Sequence, residues 1–191
     1  MMQATKWLTG IFAPAILIAM LLTACENDLK KVQQISAKEL NTHVDSSIGV
    51  DVIYSDSAVV KARLTTPLLL DYKIAKPYRE MPKGIKIIFF DKNLQPQSTV
   101  VSDYAITSDG DKTITLKRHV VVNNTSGDNI KSEELVWDQV KKIIYSNQPV
   151  VLSKADGTVL NYTNFTSNEN FTDYNGQGGH GTIVTKGNIT Q

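Results

Sequence analysis

The chain has 191 residues, and its 20 basic and 19 acidic side chains leave a formal net charge of +1. A chain so close to neutral is a poor candidate for binding nucleic acid, because that affinity comes largely from Lys and Arg neutralising phosphates. The single Cys excludes an intramolecular disulfide framework and a Cys-based zinc site. A hydrophobic content of 41% is typical of a folded chain, and the length suits one domain with a short tail.

The N-terminus has the pattern of a lipoprotein signal peptide over residues 1–24. Lys6 precedes an apolar stretch, residues 7–22, which is shorter than the roughly 20 residues that a membrane-spanning helix needs. The stretch ends in Leu22-Thr-Ala-Cys25, which resembles the lipobox of bacterial lipoproteins. We therefore expect a lipid anchor on Cys25 that tethers an extracytoplasmic domain to a membrane. The alternative is an ordinary secretory cleavage site beside a bystander Cys.

The rest of the chain is predicted to be a linker over residues 25–48, a strand-rich domain over 49–183 and a C-terminal tail over 184–191. Many runs alternate apolar and polar residues, which indicates one buried and one solvated face. Turn-forming residues separate the runs, and their short spacing predicts an all-β sandwich, jelly roll or barrel. The predicted strands cover residues 50–54, 58–64, 68–74, 85–90, 98–106, 112–117, 119–123, 130–137, 141–146, 149–153 and 158–165.

Three motifs could suggest a cofactor site, a metal site or a catalytic pair, but each is better explained as ordinary local structure. The segment Gly176–Gly181 matches GxGxxG but does not open a helix after a strand, so we interpret it as a flexible Gly-rich loop. The acids of Asp109-Gly-Asp111 favour a turn over a calcium site, because no bidentate acid follows at loop spacing. Glu133 and Glu134 are adjacent in a predicted strand and point to opposite faces, so they cannot share a site. We expect a protein that is not an enzyme and uses no cofactor or metal.

Several short motifs together resemble the LptC family, the periplasmic component of lipopolysaccharide export. They are VIYSDSAVVKARLTTP from residue 52, Tyr78–Ile85, Leu135-Val-Trp137, Ile144-Tyr-Ser146, Val150, Asp156-Gly157, Phe165-Thr-Ser167, Phe171 and Tyr174. The resemblance covers about residues 49–183 and implies a β-jelly roll of the OstA/LptC type with roughly 11–16 short antiparallel strands, open along one side. The chain departs from the family at Tyr162 and Asn164, where members often carry Gly.

The resemblance also implies a function. The protein would receive lipopolysaccharide from the inner-membrane ABC transporter, of the LptBFG type, and pass it to an LptA-like jelly-roll protein of the bridge. One edge of the sheet would meet the transporter and the other the next module. The implied location is the periplasm, with the lipid on Cys25 as a membrane tether, most simply at the inner membrane.

Twelve residues are predicted to face the interior and to bind acyl chains; ordinary core packing is the alternative for each of them. They are Ile87, Phe89, Tyr104, Ile106, Leu116, Val120, Val122, Leu135, Trp137, Tyr145, Val150 and Leu152. A partner-binding edge is predicted over residues 158–174, where the last strands are expected to be unpaired. Its aromatic side chains are Tyr162, Phe165, Phe171 and Tyr174.

Two other functions remain open at this point. A generic periplasmic carrier of lipids or lipoproteins would bind acyl chains without a fixed partner at its edge. A surface lipoprotein that binds carbohydrate would need exposed aromatic rings. Trp7 lies in the predicted signal peptide, and the side chain of Trp137 is predicted to face the interior. Exposure of Trp137 to solvent would therefore favour the carbohydrate-binding alternative.

Overall fold

The structure, a computed structural model, describes residues 44–108, 110 and 112–184. The predicted signal peptide, Cys25, most of the predicted linker and nearly all of the C-terminal tail lie outside the described residues. Every regular element that the structure describes is a β-strand, and all pairings are antiparallel. The predicted all-β class, with roughly 11–16 short antiparallel strands, is therefore confirmed.

Fourteen strands form one continuous sheet. They are β1 Val44–Asp56, β2 Val59–Tyr72, β3 Tyr78–Met81, β4 Ile85–Phe90, β5 Pro96–Ser102, β6 Tyr104–Ser108, β7 Thr113–Asn124, β8 Asn129–Asp138, β9 Ile143–Ser146, β10 Val150–Ser153, β11 Val159–Tyr162, β12 Asn164–Asn168, β13 Tyr174–Gln177 and β14 His180–Thr182.

The sheet is a stack of V-shaped rungs. Four rungs are the long strands β1, β2, β7 and β8, and the other five are the consecutive pairs β3/β4, β5/β6, β9/β10, β11/β12 and β13/β14. For example, β2 pairs with β1 along one side and with both β4 and β3 along the other. One arm of every rung belongs to a first layer, which contains β4, β5, β10, β11 and β14. The other arm belongs to a second layer, which contains β3, β6, β9, β12 and β13.

Backbone irregularities mark the corner of the rungs. Gly49 of β1 has a φ of +65° and lies opposite Pro67 of β2, where the ladder is interrupted. In β7, Arg118 and His119 have φ values of +64° and +49°, and the register with β8 shifts at this point. Arg118 and His119 together lie opposite the single residue Glu133, which makes a β-bulge, and a bulge bends its strand. The bends turn one extended sheet into two facing layers, as the jelly-roll prediction requires.

The core lies between the two layers and follows the period-two pattern. In β4 the side chains of Ile85, Ile87 and Phe89 are buried, whereas the residues between them are not. Phe89 of the first layer packs edge to face against Trp137 of the second layer, with ring centroids 4.9 Å apart. The largest side chains that are fully buried are Trp137, Phe89, Phe165, Phe171 and Met81.

Several predicted boundaries were wrong. Strand β1 begins at Val44 and not at residue 50, and β2 joins two predicted runs. The short strand β3 was not predicted. The segment 176–181 is not a flexible loop, because it contributes to strands β13 and β14 with a bend between them. Glycine is required at Gly181, where an added Cβ would lie 1.9 Å from the carbonyl oxygen of Val159.

Candidate functional site

Nine of the twelve predicted lipid-binding side chains point into the space between the layers. Each is at most 1% exposed. They are Ile87, Phe89, Leu116, Val120, Val122, Leu135, Trp137, Val150 and Leu152. Their inward orientation follows from alternation along β4, β7, β8 and β10. Contact of these residues with lipid stays a prediction.

The inward orientation was wrong for the other three residues. On β6 the buried side chains are Ala105 and Thr107, so Tyr104 and Ile106 lie on the outer face. On β9 the buried side chains are Ile144 and Ser146, so Tyr145 is outside. In both strands apolar residues occupy both faces. Hydrophobicity alone therefore could not show which face is buried.

Aromatic side chains fill much of the interior. Trp137 packs edge to face against Phe89 and also against Tyr54, with ring centroids 5.2 Å apart in the second pair. Phe165 stacks on Tyr174 with centroids 5.9 Å apart. Packing of this density leaves little room for an acyl chain between the layers. In the arrangement that the structure describes, the interior is a closed core over most of its length.

At the β1 end of the stack the two layers enclose a cavity of about 170 Å³, which we call the mouth. Its walls are mostly apolar and come from both layers. They include Val52, Tyr54, Leu64, Leu69, Met81, Ile114 and Trp137. Val52 is 47% exposed, so solvent reaches the apolar wall. Small-molecule sites usually measure about 300–1,000 Å³, so the mouth has room for only part of a lipid.

Two ionisable groups at the mouth have identifiable surroundings. Burial and the nearby carboxylate of Glu169 raise the pKa of Tyr54, so this phenol stays neutral at physiological pH. Arg79 also lines the mouth, and its Nε lies 3.9 Å from a carboxylate oxygen of Asp71. The mouth therefore combines an apolar wall with one guanidinium group.

Sequence reasoning missed most of the mouth. The alternation of Val52 and Tyr54 in β1 and of Leu64 in β2 was visible in the sequence and could have placed these residues on the inner face. Leu69 and Met81 gave no comparable signal, because Leu69 lies in an apolar run and Met81 ends a strand of four residues.

The predicted partner-binding side chains do not form an edge. Phe165 and Phe171 are at most 1% exposed, and Tyr162 and Tyr174 are half-buried against the core. Strands β11 and β12 are paired on both sides, because β13 and β14 follow them in the stack. Within the described residues, the unpaired edges belong to β1 at one end and to β13 and β14 at the other.

Tyrosines on the outer face of the second layer form a cluster around Glu80. The hydroxyl groups of Tyr72 and Tyr104 donate hydrogen bonds to its two carboxylate oxygens, at 2.9 and 2.5 Å. Burial, followed by the bond to Glu80, raises the pKa of Tyr104 to about 12. Tyr72 and Tyr78 stack on each other with centroids 4.4 Å apart, and Arg118 lies over the ring of Tyr104. The ring faces are therefore already in contact with protein groups.

Two features are absent from the part of the chain that the structure describes. No group of three or more His, Cys, Asp or Glu side chains in that part of the chain is arranged to hold a metal ion. Between residues 44 and 184, apart from the two omitted positions, no helix is long and apolar enough to cross a membrane.

A bent antiparallel stack with an apolar interior defines the chain as a β-jelly roll. Residues 15–161 match the LptC family model, whose description is lipopolysaccharide-assembly, LptC-related. The match covers more than half of the chain, so the protein belongs to the LptC family. The family assignment gives it a role in lipopolysaccharide transport and groups it with periplasmic, envelope-associated carrier proteins. A comparison with curated proteins found no match.

Proposed function

We propose that the protein receives lipopolysaccharide from an inner-membrane ABC transporter and passes it to the next jelly-roll module of a periplasmic bridge. The observation that carries this proposal is the mouth, an apolar cavity between the layers at the β1 end of the stack. An acyl chain left in water costs about 0.8 kcal/mol for each CH₂ group. An apolar opening lowers this cost without any chemical step, which is what a carrier needs.

The mouth suits the end of a lipid better than a whole one. We propose that the tips of acyl chains contact Val52, Leu64 and Leu69 first. The nine buried residues of the interior would contact the acyl chains only after the two layers separate. Arg79 at the mouth would face the polar part of the lipid, because a guanidinium group binds phosphate and carboxylate oxygens well.

The two unpaired edges support a place between two partners. A free strand edge carries unpaired backbone N–H and C=O groups, which readily pair with a strand of another protein. Strand β1 offers one such edge, and β13 with β14 offers the other. We propose that one edge binds the transporter and the other binds the next module, so that neighbouring interiors join end to end.

We also propose that Cys25 carries the membrane tether, on the strength of the sequence Leu22-Thr-Ala-Cys25. Mass spectrometry of the N-terminal peptide from membrane-purified protein tests this point. The proposal predicts a chain that starts at Cys25 with acyl groups on it. An unmodified Cys25 in the mature protein would contradict the tether.

The generic lipid carrier remains the second candidate, because the mouth would serve it equally well. Purification of the full chain from membranes, with identification of everything bound, separates the two functions. Bridge function predicts that lipopolysaccharide and an ABC transporter copurify with the protein. Lipid recovered repeatedly without the transporter, even after crosslinking in cells, would favour the generic carrier.

The structure gives less support to carbohydrate binding. Trp137 is 1% exposed, and the tyrosines around Glu80 stack on each other or under Arg118. A sugar-binding platform needs an open aromatic face, and another protein group already covers a face of each of these rings.

A further inference from the structure

The segment 169–173 connects β12 to β13 and crosses the open side of the rungs, opposite the corner. We call it the plug segment. Its central residue, Phe171, is completely buried and belongs to the core. A connection between neighbouring strands normally stays on the surface. This one instead places its largest side chain inside the jelly roll.

Hydrogen bonds join the plug segment to both layers. The indole Nε1 of Trp137, in the second layer, donates to a carboxylate oxygen of Glu169 at 2.9 Å. In the first layer, the hydroxyl of Ser98 donates to the backbone carbonyl of Glu169 at 3.3 Å. At the end of the same layer, the side-chain amide of Asn124 donates to the carbonyl of Phe171 at 3.1 Å. The plug segment therefore ties together the two walls between which a lipid would pass.

The plug segment is also shaped so that it can move as a unit. The Asn168 side chain accepts hydrogen bonds from the backbone N–H groups of Thr172 and Asp173 and thereby closes the loop on itself. Phe171 has a φ of +55°, which is an unfavourable conformation for a bulky residue. Because the bonds of Asn168 lie within the loop and not between the loop and the core, they would survive its removal from the core.

We propose that the plug segment is a gate, which closes the open side of the jelly roll at rest and swings outward when acyl chains enter. The proposal rests on the proposed lipid-carrying function. Phe171 occupies apolar space that an acyl chain would take, and the bond from Trp137 to Glu169 holds it there. Exchange of Phe171 for acyl CH₂ groups keeps the interior apolar in both states.

The test measures how fast a fatty-acyl probe enters the full chain. The probe is cis-parinaric acid, and energy transfer from Trp137 reports its arrival in a Trp7→Phe background. Glu169→Ala removes the acceptor of the indole N–H, and we expect loading about tenfold faster, the effect of one hydrogen bond to a charged group. Glu169→Gln keeps an acceptor oxygen and should load within about threefold of the parent protein. Phe171→Ala should load at least as fast as Glu169→Ala.

Ile85→Ala serves as the control for general loss of stability, because Ile85 is buried on β4 near the corner, away from the open side. The gate predicts that this variant loads at the parent rate. Equal loading rates for the parent, Glu169→Ala and Phe171→Ala would overturn the gate while leaving lipid binding intact. Acceleration by Ile85→Ala as large as that by Phe171→Ala would overturn it too. Failure of every variant to bind the probe would instead refute the acyl-chain function itself.

Discussion

The ring of Tyr162 occupies the space that a side chain at Gly176 would need. A Cβ atom added to Gly176 would lie 2.2 Å from Cδ1 of Tyr162, and one added to Gly179 would lie 3.0 Å from Cε1 of the same ring. Gly176 and Gly179, in and beside the last rung, therefore accommodate a large residue in the rung before it.

We predict that Gly176→Ala lowers the free energy of unfolding by about 1–3 kcal/mol, the usual cost of overpacking. In a Tyr162→Gly background the same Gly176→Ala change should cost less, because the clash is then absent. Urea unfolding measures both effects. Asn175→Ala, on the exposed face of the same strand, is the matched control and should change stability little. A double variant no more stable than predicted from the two single changes would show that the two residues do not interact.

Charge placed at the mouth should act differently from charge placed in the closed interior. Val52 is 47% exposed, so Val52→Arg should leave the domain folded and obstruct the apolar opening. Leu152 is completely buried, so Leu152→Arg should destabilise the fold by about 3–5 kcal/mol, as an unpaired buried charge does. Thermal unfolding and lipid copurification measure the two effects. A stable Leu152→Arg domain would show that the interior is roomier than the packing indicates.

The bulge of β7 should give a measurable dependence on pH. Nδ1 of His119 lies 2.6 Å from a carboxylate oxygen of Asp103, and this bond raises the pKa of His119, with smaller help from Glu133 and opposition from Arg118. Because the folded-state pKa is raised, the stabilisation is full below the ordinary histidine value of about 6.5 and is lost as pH rises through the folded-state pKa.

An NMR titration of the imidazole groups tests this expectation directly. Asp103→Asn should move the pKa of His119 down towards its ordinary value. The stability difference between the parent and this variant should shrink as the pH is raised from 5.5 to 9. The same pKa in both proteins would mean that the ion pair does not form in solution.

The unpaired edges give a prediction about partners. Photo-crosslinking residues at Ser46, on β1, and at Thr182, on β14, should capture two different proteins during export. Lys131 is exposed on β8 in the middle of the sheet and is the control, which should capture neither. Capture of the same protein at both edges would contradict a position between two different partners.

The sequence predicted the fold class well because alternation is strong in the central strands. Ile85, Ile87 and Phe89 alternate strictly with less buried residues, and β4 was predicted with its observed bounds. Strands β3, β13 and β14 were missed because they are only three or four residues long and contain charged residues or Gly. Their pairing depends on neighbours that are distant in sequence, which local propensity does not report.

The site was less predictable than the fold for a related reason. Side chains alternate between the two faces of a strand, but the alternation does not show which face is buried when both faces are apolar. The strands of Tyr104 and Tyr145 are of this kind. The burial of Phe171 in a connecting segment had no periodic signal at all. It depends on the bond from Trp137 to Glu169 and on the bond from Asn124 to the Phe171 carbonyl, which join residues 32 and 47 positions apart.

The most direct test of the account is site-specific photo-crosslinking to lipopolysaccharide in cells that are exporting it. A crosslinking residue at Val52, in the mouth, is compared with one at Leu94, which is 56% exposed and lines a different cavity. We expect a lipopolysaccharide adduct at Val52 that disappears when export is blocked, and none at Leu94. Equal labelling at the two positions, or no adduct at Val52 during active export, would contradict the proposal that the mouth receives the lipid.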